Sequence, residues 1–325
     1  MTVDMQLISA QQFRKDNHNP KTVAALMCTY RGEKYLRRQL ETIAGQTYPH
    51  WKLFVSDDGS DDGTLRVLTD FQESGYGDRI RIFPGPRKGF ANNFFSLIAR
   101  SEVRADFYAF TDQDDEWAEC KLERAVDALE RMPPDAPVLY GSRSELVDEQ
   151  GTRIGYSRHY RRRSSFSNAL VQNIVSGNTM VMNNTAMDLL REAGTDLEVS
   201  AHDWWAYLLV TGSGGMMVYD PYPTIRYRQH ANNLYGSNVS VRAIVKRVRK
   251  MLAGDFRQWN AQNLAALRAR SALLHEDSRR LLEMFEESRR GSSLRRVWNL
   301  YRAGIYRQTV AQQLALLFAA AVKRM

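Results

Sequence analysis

Cysteine is scarce in this chain, whose 325 residues include only Cys28 and Cys120. Two thiols cannot build the disulfide framework of a small secreted domain, so we expect a reducing compartment. Cys28 lies inside an apolar run, and this position favours a buried thiol over a catalytic nucleophile. The cysteines therefore indicate an intracellular protein rather than thiol chemistry.

Long hydrophobic runs are also missing from the sequence. The longest apolar stretch, residues 314–322, is far shorter than the ~18 or more residues that a membrane-spanning helix needs. The N-terminal segment carries Asp4 and no long apolar core, which is not typical of a secretory signal. We therefore expect a chain that neither spans a membrane nor is exported.

Negative charge is scarce in one part of the chain only. The net charge is +8, yet residues 240–325 contain 18 basic and 6 acidic residues, against 27 basic and 31 acidic residues elsewhere. The basic character thus belongs to the C-terminal third and not to the rest of the protein. A partner attracted by positive charge would therefore bind to the C-terminal third and not to the rest of the chain.

The hydrophobic pattern divides the chain into three parts. Residues 1–20 are polar and without periodicity, which predicts a flexible leader. Residues 21–238 alternate strand-like apolar runs with segments of helical periodicity, which predicts an α/β fold with a Rossmann-like, mostly parallel, doubly wound sheet. Residues 239–325 are predicted to form a basic, α-helical C-terminal extension.

Acidic side chains follow two of the predicted strands. Residues 112–115 (Asp-Gln-Asp-Asp) come directly after the apolar run 106–111, and Asp57 and Asp58 come directly after the run 51–56. Clustered carboxylates repel one another, and a hard divalent cation such as Mg²⁺ or Mn²⁺ relieves that repulsion. Because ligands of open α/β sheets bind at the carboxyl ends of the strands, we expect one site for a phosphate-bearing ligand and a metal ion.

Five short motifs in this order resemble the family-2 glycosyltransferases of the GT-A fold, and more narrowly their rhamnosyltransferase-like branch, over roughly residues 22–236. The motifs are Cys28-Thr29-Tyr30-Arg31-Gly32-Glu33, Ser56-Asp57-Asp58-Gly59-Ser60, Asp112-Gln113-Asp114-Asp115-Glu116-Trp117, His202-Asp203-Trp204-Trp205 and Tyr227-Arg228-Gln229-His230. The resemblance implies a metal-dependent, inverting hexosyltransferase. It would move a sugar, L-rhamnose from dTDP-rhamnose, onto a glycan or lipid-linked glycan acceptor in surface polysaccharide synthesis.

The same resemblance implies a role for each site residue. Asp203 would be the catalytic base, and Asp114, with Asp112 or Asp115, would hold Mg²⁺ or Mn²⁺. Arg228 and His230 would bind the diphosphate. The residues expected to bind the donor are Thr29, Tyr30, Arg31, Glu33, Asp57, Asp58, Lys88, Asp112 and Gln113, and those expected to contact the acceptor or a sugar are Trp117, His202, Trp204 and Trp205.

Structural roles compete with several of these assignments. Asp58 could belong to an ordinary turn with a helix cap, and His202 with Asp203 could simply begin a helix, where the macrodipole would keep the pKa of Asp203 low. The tryptophans could be packing residues, and the loop at 228–230 could be solvated. Arg31 departs from the family, in which many relatives have Asn at this position.

Other functions remain open at this point. The same machinery could transfer galactose, glucose or an N-acetylhexosamine from the UDP form. A sugar-nucleotide pyrophosphorylase also uses metal carboxylates, but would be expected to carry a Gly-rich loop after its first strand, where this chain has residues 29–32 (Thr-Tyr-Arg-Gly). A non-catalytic module at a membrane surface would not need both Asp114 and Asp203.

The basic extension allows four interpretations. Its arginine pairs and aromatic residues suit anionic lipid headgroups, and they could also bind nucleic acid, pack on the catalytic domain or mediate oligomerisation. One apolar stripe comprises Leu294, Trp298, Tyr301 and Ile305 and continues imperfectly through 314–321. A lipid-linked acceptor favours contact with a membrane surface and no nucleic-acid partner. The expected location is the cytoplasm, peripheral on the inner face of the plasma membrane.

Overall fold

The computed structural model describes residues 20–230 and 254–325. The predicted leader lies outside the described residues except for its last position, and so does the predicted boundary at 238–239. The strands in these ranges are β1 (Val23–Thr29), β2 (Trp51–Asp57), β3 (Ile80–Pro84), β4 (Phe107–Thr111), β5 (Glu116–Trp117), β6 (Val138–Val147), β7 (Arg153–Tyr156), β8 (Val181–Asn183) and β9 (Met216–Arg228).

The helices separate the parallel strands and then form the end of the chain. They are α1 (Glu33–Ala44), α2 (Thr64–Phe71), α3 (Phe90–Ile98), α4 (Lys121–Glu130), α5 (Phe166–Ala169), α6 (Asn184–Glu192), α7 (His202–Gly212), α8 (Asp255–Ala269), α9 (Glu276–Ser288), α10 (Ser293–Arg302) and α11 (Val310–Ala321).

The strands form one sheet in the order β3-β2-β1-β4-β8-β6-β9-β5, with β7 paired to β6. The first four strands in this order are parallel, because α1, α2 and α3 return the chain each time to the same end of the sheet. Beyond them β8 runs antiparallel to both β4 and β6, so the sheet is mixed. β6 and β9 are again parallel to each other and run in the same direction as β4. The predicted α/β class with a mostly parallel sheet and C-terminal helices is confirmed.

Helices cover both faces of the sheet, so the central strands are buried on both sides. β1 shows the result, because residues 23–27 are fully inaccessible to solvent. Such strands read as continuous apolar runs rather than as alternating ones, which is why the sequence predicts them well. The sequence around β9 indicates a strand only at 216–219. In the structure β9 continues to Arg228, across Pro221 and Pro223 and a register shift against β6.

The register of the parallel strands brings their carboxyl ends to one edge. Thr29 pairs with Asp57 across β1 and β2, and Met27 pairs with Thr111 across β1 and β4. Residues 30, 58 and 112 therefore leave the sheet side by side. The long strand β9 runs parallel to β6 and delivers Arg228 toward the same region, opposite Val147.

The C-terminal helices pack on the face of the sheet that carries α3, α6 and α7. Leu267 of α8, Phe285 of α9, Leu300 of α10 and Leu316 of α11 are buried in the same apolar cluster as the core of α7. Packing on the catalytic domain, one of the four interpretations of this segment, thus accounts for the inner faces of these helices. Across the two described ranges, every helix is too short or too polar to cross a bilayer.

Arg296 ties the last two helices together. Its side chain is 2% exposed and donates to the carbonyl oxygens of Ala320 (Nε, 2.6 Å) and Ala321 (Nη2, 2.8 Å) at the end of α11, and also to that of Gly291. Because carbonyls at a helix C-terminus lack intrahelical partners, a buried guanidinium there satisfies otherwise orphaned acceptors.

We expect Arg296→Met to lower the free energy of unfolding by about 2 kcal/mol, because it leaves buried carbonyls without donors. Urea unfolding followed by circular dichroism measures the change. The neighbouring Arg295→Met is the matched control, since Arg295 is exposed and should cost less than about 0.5 kcal/mol. Equal effects of the two substitutions would contradict this assignment.

Candidate active site

A cavity of about 1590 Å³ opens at the carboxyl ends of β1, β2 and β4. Its wall combines residues from all five sequence motifs. Among them are Tyr30, Asp58, Asp112, Asp114, Asp203 and His230. The structure thus brings side chains separated by up to 200 positions in sequence into one hollow, as the strand endings predict.

Asp57 organises one rim of this cavity. Its carboxylate accepts hydrogen bonds from Thr29 Oγ1 (2.8 Å), from the Ser60 amide (2.8 Å) and hydroxyl (2.6 Å), and from the Gly59 amide (3.2 Å). The side chain is 5% exposed and is absent from the cavity lining. Both oxygens are occupied by the protein itself, so Asp57 shapes the turn that presents its neighbour.

Asp58 bridges two loops at the cavity wall. Its carboxylate accepts the backbone amides of Arg87 (2.5 Å) and Gly89 (2.9 Å), which fixes the loop between β3 and α3. Arg87 lines the cavity, whereas the predicted donor residue Lys88 is exposed and does not. The predicted loop is therefore at the site, with its adjacent basic residue facing inward.

Tyr30 and Gln113 join two motifs through a reciprocal pair. The Tyr30 amide donates to Gln113 Oε1 (2.9 Å), and Gln113 Nε2 donates to the Tyr30 carbonyl (3.0 Å). The Tyr30 ring remains 51% exposed at the cavity. A planar ring held at a fixed backbone position is suited to stacking on a base or a sugar.

Arg31 occupies the left-handed region of the backbone, with φ of 50°. Asn is favoured there, which gives a physical reason for the Asn found in many relatives. Arg31 is held instead by the Ser60 hydroxyl on its amide (2.9 Å) and by a two-bond ion pair with Asp61 (2.6 Å each). Glu33 does not line the cavity but accepts the Gly63 amide (2.9 Å), which fixes the same turn from behind.

The acidic motif places its three carboxylates in different surroundings. Asp112 and Asp114 line the cavity, whereas Asp115 is 1% exposed, accepts from Asn178 Nδ2 (2.5 Å) and the Arg228 amide (3.2 Å), and lies behind the wall. Burial, followed by the charges of Asp114 and Asp203, raises the pKa of Asp112 to about 7. Burial, followed by the charges of Asp114 and Asp112, also raises the pKa of Asp115.

His230 lies directly against the acidic motif. Its Nε2 is 2.8 Å from Asp114 Oδ2, and its ring stacks on Tyr35 at 5.4 Å between centroids. A carboxylate and an imidazole in contact at the cavity wall are both suitable metal ligands, and an imidazole also binds phosphate. The pair fits the predicted metal and diphosphate roles without distinguishing them.

Arg228 lies behind the cavity wall rather than extending into the cavity. Its side chain is 7% exposed and bonds Glu116 (Nη2–Oε1, 2.6 Å), the Glu149 carbonyl (3.0 Å) and the Asp114 carbonyl (3.2 Å). These contacts hold the acidic motif against the end of β9. They favour a positioning role over direct diphosphate binding, a distinction that the sequence does not make.

Asp203 is the second residue of α7 and faces the cavity. Its carboxylate accepts the amides of Trp204 (2.7 Å) and Gly177 (2.9 Å). A helix N-terminus predicts a low pKa, but burial outweighs those hydrogen bonds and raises the pKa of Asp203 to about 6. The expectation of a low pKa is therefore wrong, and the group is a stronger base than an exposed carboxylate.

His202 forms an apolar part of the same wall. Its ring stacks on Phe94 at 3.8 Å and meets Phe110 edge-on at 4.9 Å, and burial lowers the imidazole pKa to about 3. No residue in 20–230 or 254–325 hydrogen-bonds either ring nitrogen. Both nitrogens are also shielded from solvent, so a sugar hydroxyl could bond to them only after neighbouring side chains move.

The three tryptophans that were expected to contact the acceptor or a sugar separate into two groups. Trp204 lines the cavity and its indole donates to the Ala169 carbonyl (2.7 Å). Trp205 is fully buried in the core, and Trp117 is 4% exposed beneath Lys121, away from the cavity lining. These positions favour packing for Trp117 and Trp205 and leave Trp204 as a residue that can contact ligand.

Several residues of the site were not among the predicted ones. Gly177 and Asn178 fix the carboxylates of Asp203 and Asp115, and Lys121 donates to the Asn178 carbonyl (3.0 Å) with burial lowering its pKa to about 7. The polar segment 176–178 (Ser-Gly-Asn) interrupts an apolar stretch of the sequence, but its neighbours in the chain do not indicate which residues it binds. Cys28 also borders the cavity, where burial raises the thiol pKa, in line with an unreactive cysteine.

The chemistry of the donor set fits a divalent cation. Within the described parts of the chain, no three His, Cys, Asp or Glu side chains are arranged as a complete metal site. Asp112, Asp114 and His230 nevertheless line the same cavity, His230 contacts Asp114, and the charge of Asp114 disfavours ionisation of Asp112. Mg²⁺ is often held by one or two carboxylates together with substrate phosphates, so a partial protein site is sufficient.

The sequence model of Glycosyl transferase family 2 matches residues 24–189. The dTDP-rhamnosyl transferase RfbG of Shigella flexneri is 30% identical over 233 residues, which cover 68% of this chain and 78% of that protein. The UDP-Glc:alpha-D-GlcNAc-diphosphoundecaprenol beta-1,3-glucosyltransferase WfgD of Escherichia coli is 31% identical over 121 residues, 37% of this chain and 45% of that protein.

A solved structure supports the fold. The mannosyltransferase PcManGT of Pyrobaculum calidifontis, in complex with GDP-Man and Mn²⁺, superposes with a TM-score of 0.51 and 19% identity. The match covers 94% of this chain and 87% of that one. At this identity the likeness concerns the fold alone, and it confirms the GT-A expectation.

We expect Asp57→Ala to lower the free energy of unfolding by about 2–4 kcal/mol, because it removes the acceptor of four hydrogen bonds at a buried turn. Asp58→Ala, which frees two amides of a more exposed loop, should cost about 1 kcal/mol. Chemical denaturation of both variants gives the comparison. If Asp58→Ala is the more damaging substitution, the division of roles is reversed.

Proposed function

The chain belongs to glycosyl transferase family 2, and we propose that it transfers L-rhamnose from dTDP-rhamnose to a glycan or lipid-linked glycan acceptor in surface polysaccharide synthesis, with inversion at the anomeric carbon. The single observation that carries this proposal is the cavity in which Asp203, Asp112 and Asp114 share one wall. The donor is taken from the likeness to a dTDP-rhamnosyl transferase.

Asp203 is assigned as the catalytic base. The two amides on its carboxylate fix its orientation, and its raised pKa strengthens its attraction for a proton. It accepts the proton of the acceptor hydroxyl while that oxygen bonds to the anomeric carbon and the bond to the diphosphate breaks. Attack opposite the leaving group inverts the configuration, and a base so placed contributes about 10²–10⁴-fold.

Asp114, with Asp112 and His230, is assigned to hold Mg²⁺ or Mn²⁺, and Asp115 supports them from behind. A bound cation supplies Lewis-acid stabilisation of the negative charge that develops on the departing diphosphate. The protein's own contribution is to keep these groups together, through Arg228 bound to Glu116 and to the motif's backbone.

The donor nucleotide is assigned to the rim at β1 and β2. Thr29, Tyr30, Arg31, Asp58 and Gln113 border the cavity there. Asp57 and Glu33 hold the adjoining turns from behind. His202 and Trp204 are assigned to the sugar or acceptor, because both line the wall beside Asp203. A neutral His202 fits a hydroxyl-bearing, uncharged ligand.

A different hexose is the alternative that a specific observation favours, since WfgD carries UDP-Glc in its name. Family membership speaks against a pyrophosphorylase or a non-catalytic module. The name of the same relative includes a diphosphoundecaprenol acceptor, which supports a lipid-linked acceptor here. We therefore propose a peripheral enzyme at the cytoplasmic face of the plasma membrane, without a nucleic-acid partner.

Thermal unfolding with a panel of sugar nucleotides tests the donor and the metal together. We expect dTDP-rhamnose with Mn²⁺ or Mg²⁺ to raise the melting temperature by several degrees, about the shift expected when the donor concentration is about 100 times its Kd. A chelator should abolish most of this shift. Asp114→Asn should lose the metal-dependent part. The control is Asp70→Asn, an exposed carboxylate outside the cavity lining.

A larger shift with a UDP-hexose would replace the donor assignment. No shift with any sugar nucleotide would contradict the function. Chromatographic detection of free dTDP, with and without candidate glycans, then shows whether transfer or only hydrolysis occurs.

The pKa of Asp203 makes two pH-dependent predictions. Because the base must be ionised, kcat/KM of the wild type should fall about tenfold per pH unit below pH 6. Asp203→Asn should lose at least about 10²-fold above pH 6, and this difference should shrink as the pH falls and the wild type itself loses the ionised base. Because the folded pKa lies above the ordinary value of 3.8, ionisation costs stability. The unfolding free energy of Asp203→Asn relative to wild type should therefore rise by up to about 3 kcal/mol between pH 4 and pH 7. A flat difference across this window would show that Asp203 is not desolvated.

A further inference from the structure

Helices α10 and α11 each carry apolar side chains on two opposite faces. On α10, Leu300 is buried inside the protein, while Leu294, Trp298 and Tyr301 are 86%, 58% and 76% exposed. At 100° per residue these three side chains lie on the side of α10 opposite Leu300. The sequence stripe thus points outward, and Ile305, its fourth predicted member, lies beyond α10 and is buried.

Helix α11 repeats this arrangement. Leu316, Ala319 and Ala320 form its buried face, and Val310, Leu314 and Phe318 are 79%, 61% and 51% exposed on the other side. A helix that is apolar around most of its circumference requires a second apolar environment besides the protein core. Packing within the described residues covers only one side.

The charge of this segment restricts what the second environment can be. Residues 289–325 contain eight Lys or Arg and no Asp or Glu. A second copy of the chain docked symmetrically on this face would oppose two equally basic segments. An anionic surface complements them instead.

A basic cleft borders the same helices. It has a volume of about 620 Å³, and its wall includes one carboxylate, Glu286, which pairs with Arg268. The basic side chains of the wall are Arg257, Arg268, Arg289, Arg290, Arg296 and Lys323. Arg268, Arg289 and Arg296 are engaged with Glu286, the Met325 carbonyl and the end of α11. The other three, Arg257, Arg290 and Lys323, suit a phosphate group, which a planar guanidinium binds by two parallel hydrogen bonds.

We infer that the outer face of α10 and α11 docks on a lipid bilayer, with its apolar side chains among the acyl chains. The exposed cations Arg295 and Arg302, which lie beside the apolar stripe of α10, would contact the phosphates of anionic headgroups. Helices of 10 and 12 residues are too short to span the bilayer and would lie in its surface plane. Trp298 and Tyr301, stacked at 5.9 Å, are residue types that favour the boundary between lipid and water.

This inference deepens the proposed function and rests on it for its purpose, since a surface-bound enzyme meets a lipid-linked acceptor in two dimensions. Its physical basis is separate, because the docking face shares no residue with the cavity of Asp203. Binding to vesicles can therefore be measured without donor or acceptor.

Flotation of the full chain with vesicles tests the proposal. We expect binding to phosphatidylcholine vesicles that contain phosphatidylglycerol, little binding to phosphatidylcholine alone, and weaker binding at high salt. The triple variant Leu294→Gln/Trp298→Gln/Tyr301→Gln should reduce the partition coefficient at least about tenfold. So should Arg290→Gln/Arg295→Gln/Arg302→Gln, which removes three exposed cations at and just before α10.

Matched variants control for loss of surface apolarity and charge elsewhere. Leu65→Gln/Ile154→Gln/Tyr222→Gln removes three exposed apolar side chains, and Arg37→Gln/Lys52→Gln/Arg131→Gln removes three exposed cations, all remote from the two helices in sequence. Both should bind vesicles like the wild type. Circular dichroism and the melting temperature establish that each variant is folded.

Four outcomes would overturn the inference. The wild type fails to bind anionic vesicles, or the control variants lose binding as much as the docking-face variants. Alternatively, inorganic phosphate at millimolar concentration stabilises the protein through the cleft while vesicles do not bind, which would make the cleft a phosphate site. A dimer by light scattering that the α10 variant converts to a monomer, without vesicle binding, would assign the face to a second copy. Loss of transfer to a soluble acceptor with vesicle binding retained would instead count against the proposed function.

Discussion

The repulsion among carboxylates at the carboxyl edge of the sheet is the constraint on which the site depends. Asp112, Asp114 and Asp203 belong to two distant segments, yet each lines the same cavity, and burial with mutual charge raises the pKa of Asp112. A fold gathers such groups only if other interactions hold them there. The register of β4 against β1 holds Asp112 and Asp114 there, and the amides of Gly177 and Trp204 hold Asp203.

The supporting polar residues lie one layer behind the cavity. Arg228 neutralises Glu116 and binds the backbone of the acidic motif, while Asn178 and the buried Lys121 stabilise Asp115 from the opposite side. Truncating one partner of such a network leaves a buried charge unpaired, which is costly. Residues that never touch a ligand therefore set the geometry and the proton affinity of those that do.

The last two C-terminal helices have an inner face that packs on the protein core and an outer apolar face that is exposed. Their inner faces complete the core on one side of the sheet, and Arg296 closes the end of α11. Their outer faces carry exposed Trp298 and Phe318 in a segment without carboxylates. A purely structural extension needs no outer apolar face, so this second face is the observation behind the proposed attachment to a bilayer.

The sequence by itself determined the α/β class, the parallel strands and the five motifs, because strands buried on both faces read as continuous apolar runs and carboxylates at strand ends stand out. It did not determine β9 beyond residue 219, since Pro221 and Pro223 argue locally against a strand that tertiary pairing with β6 nevertheless supports. Only the tertiary structure decided that Arg228 binds Glu116 and that the pKa of Asp203 rises to about 6. Burial and long-range partners control both, and neither is encoded in the residues next to them in the chain.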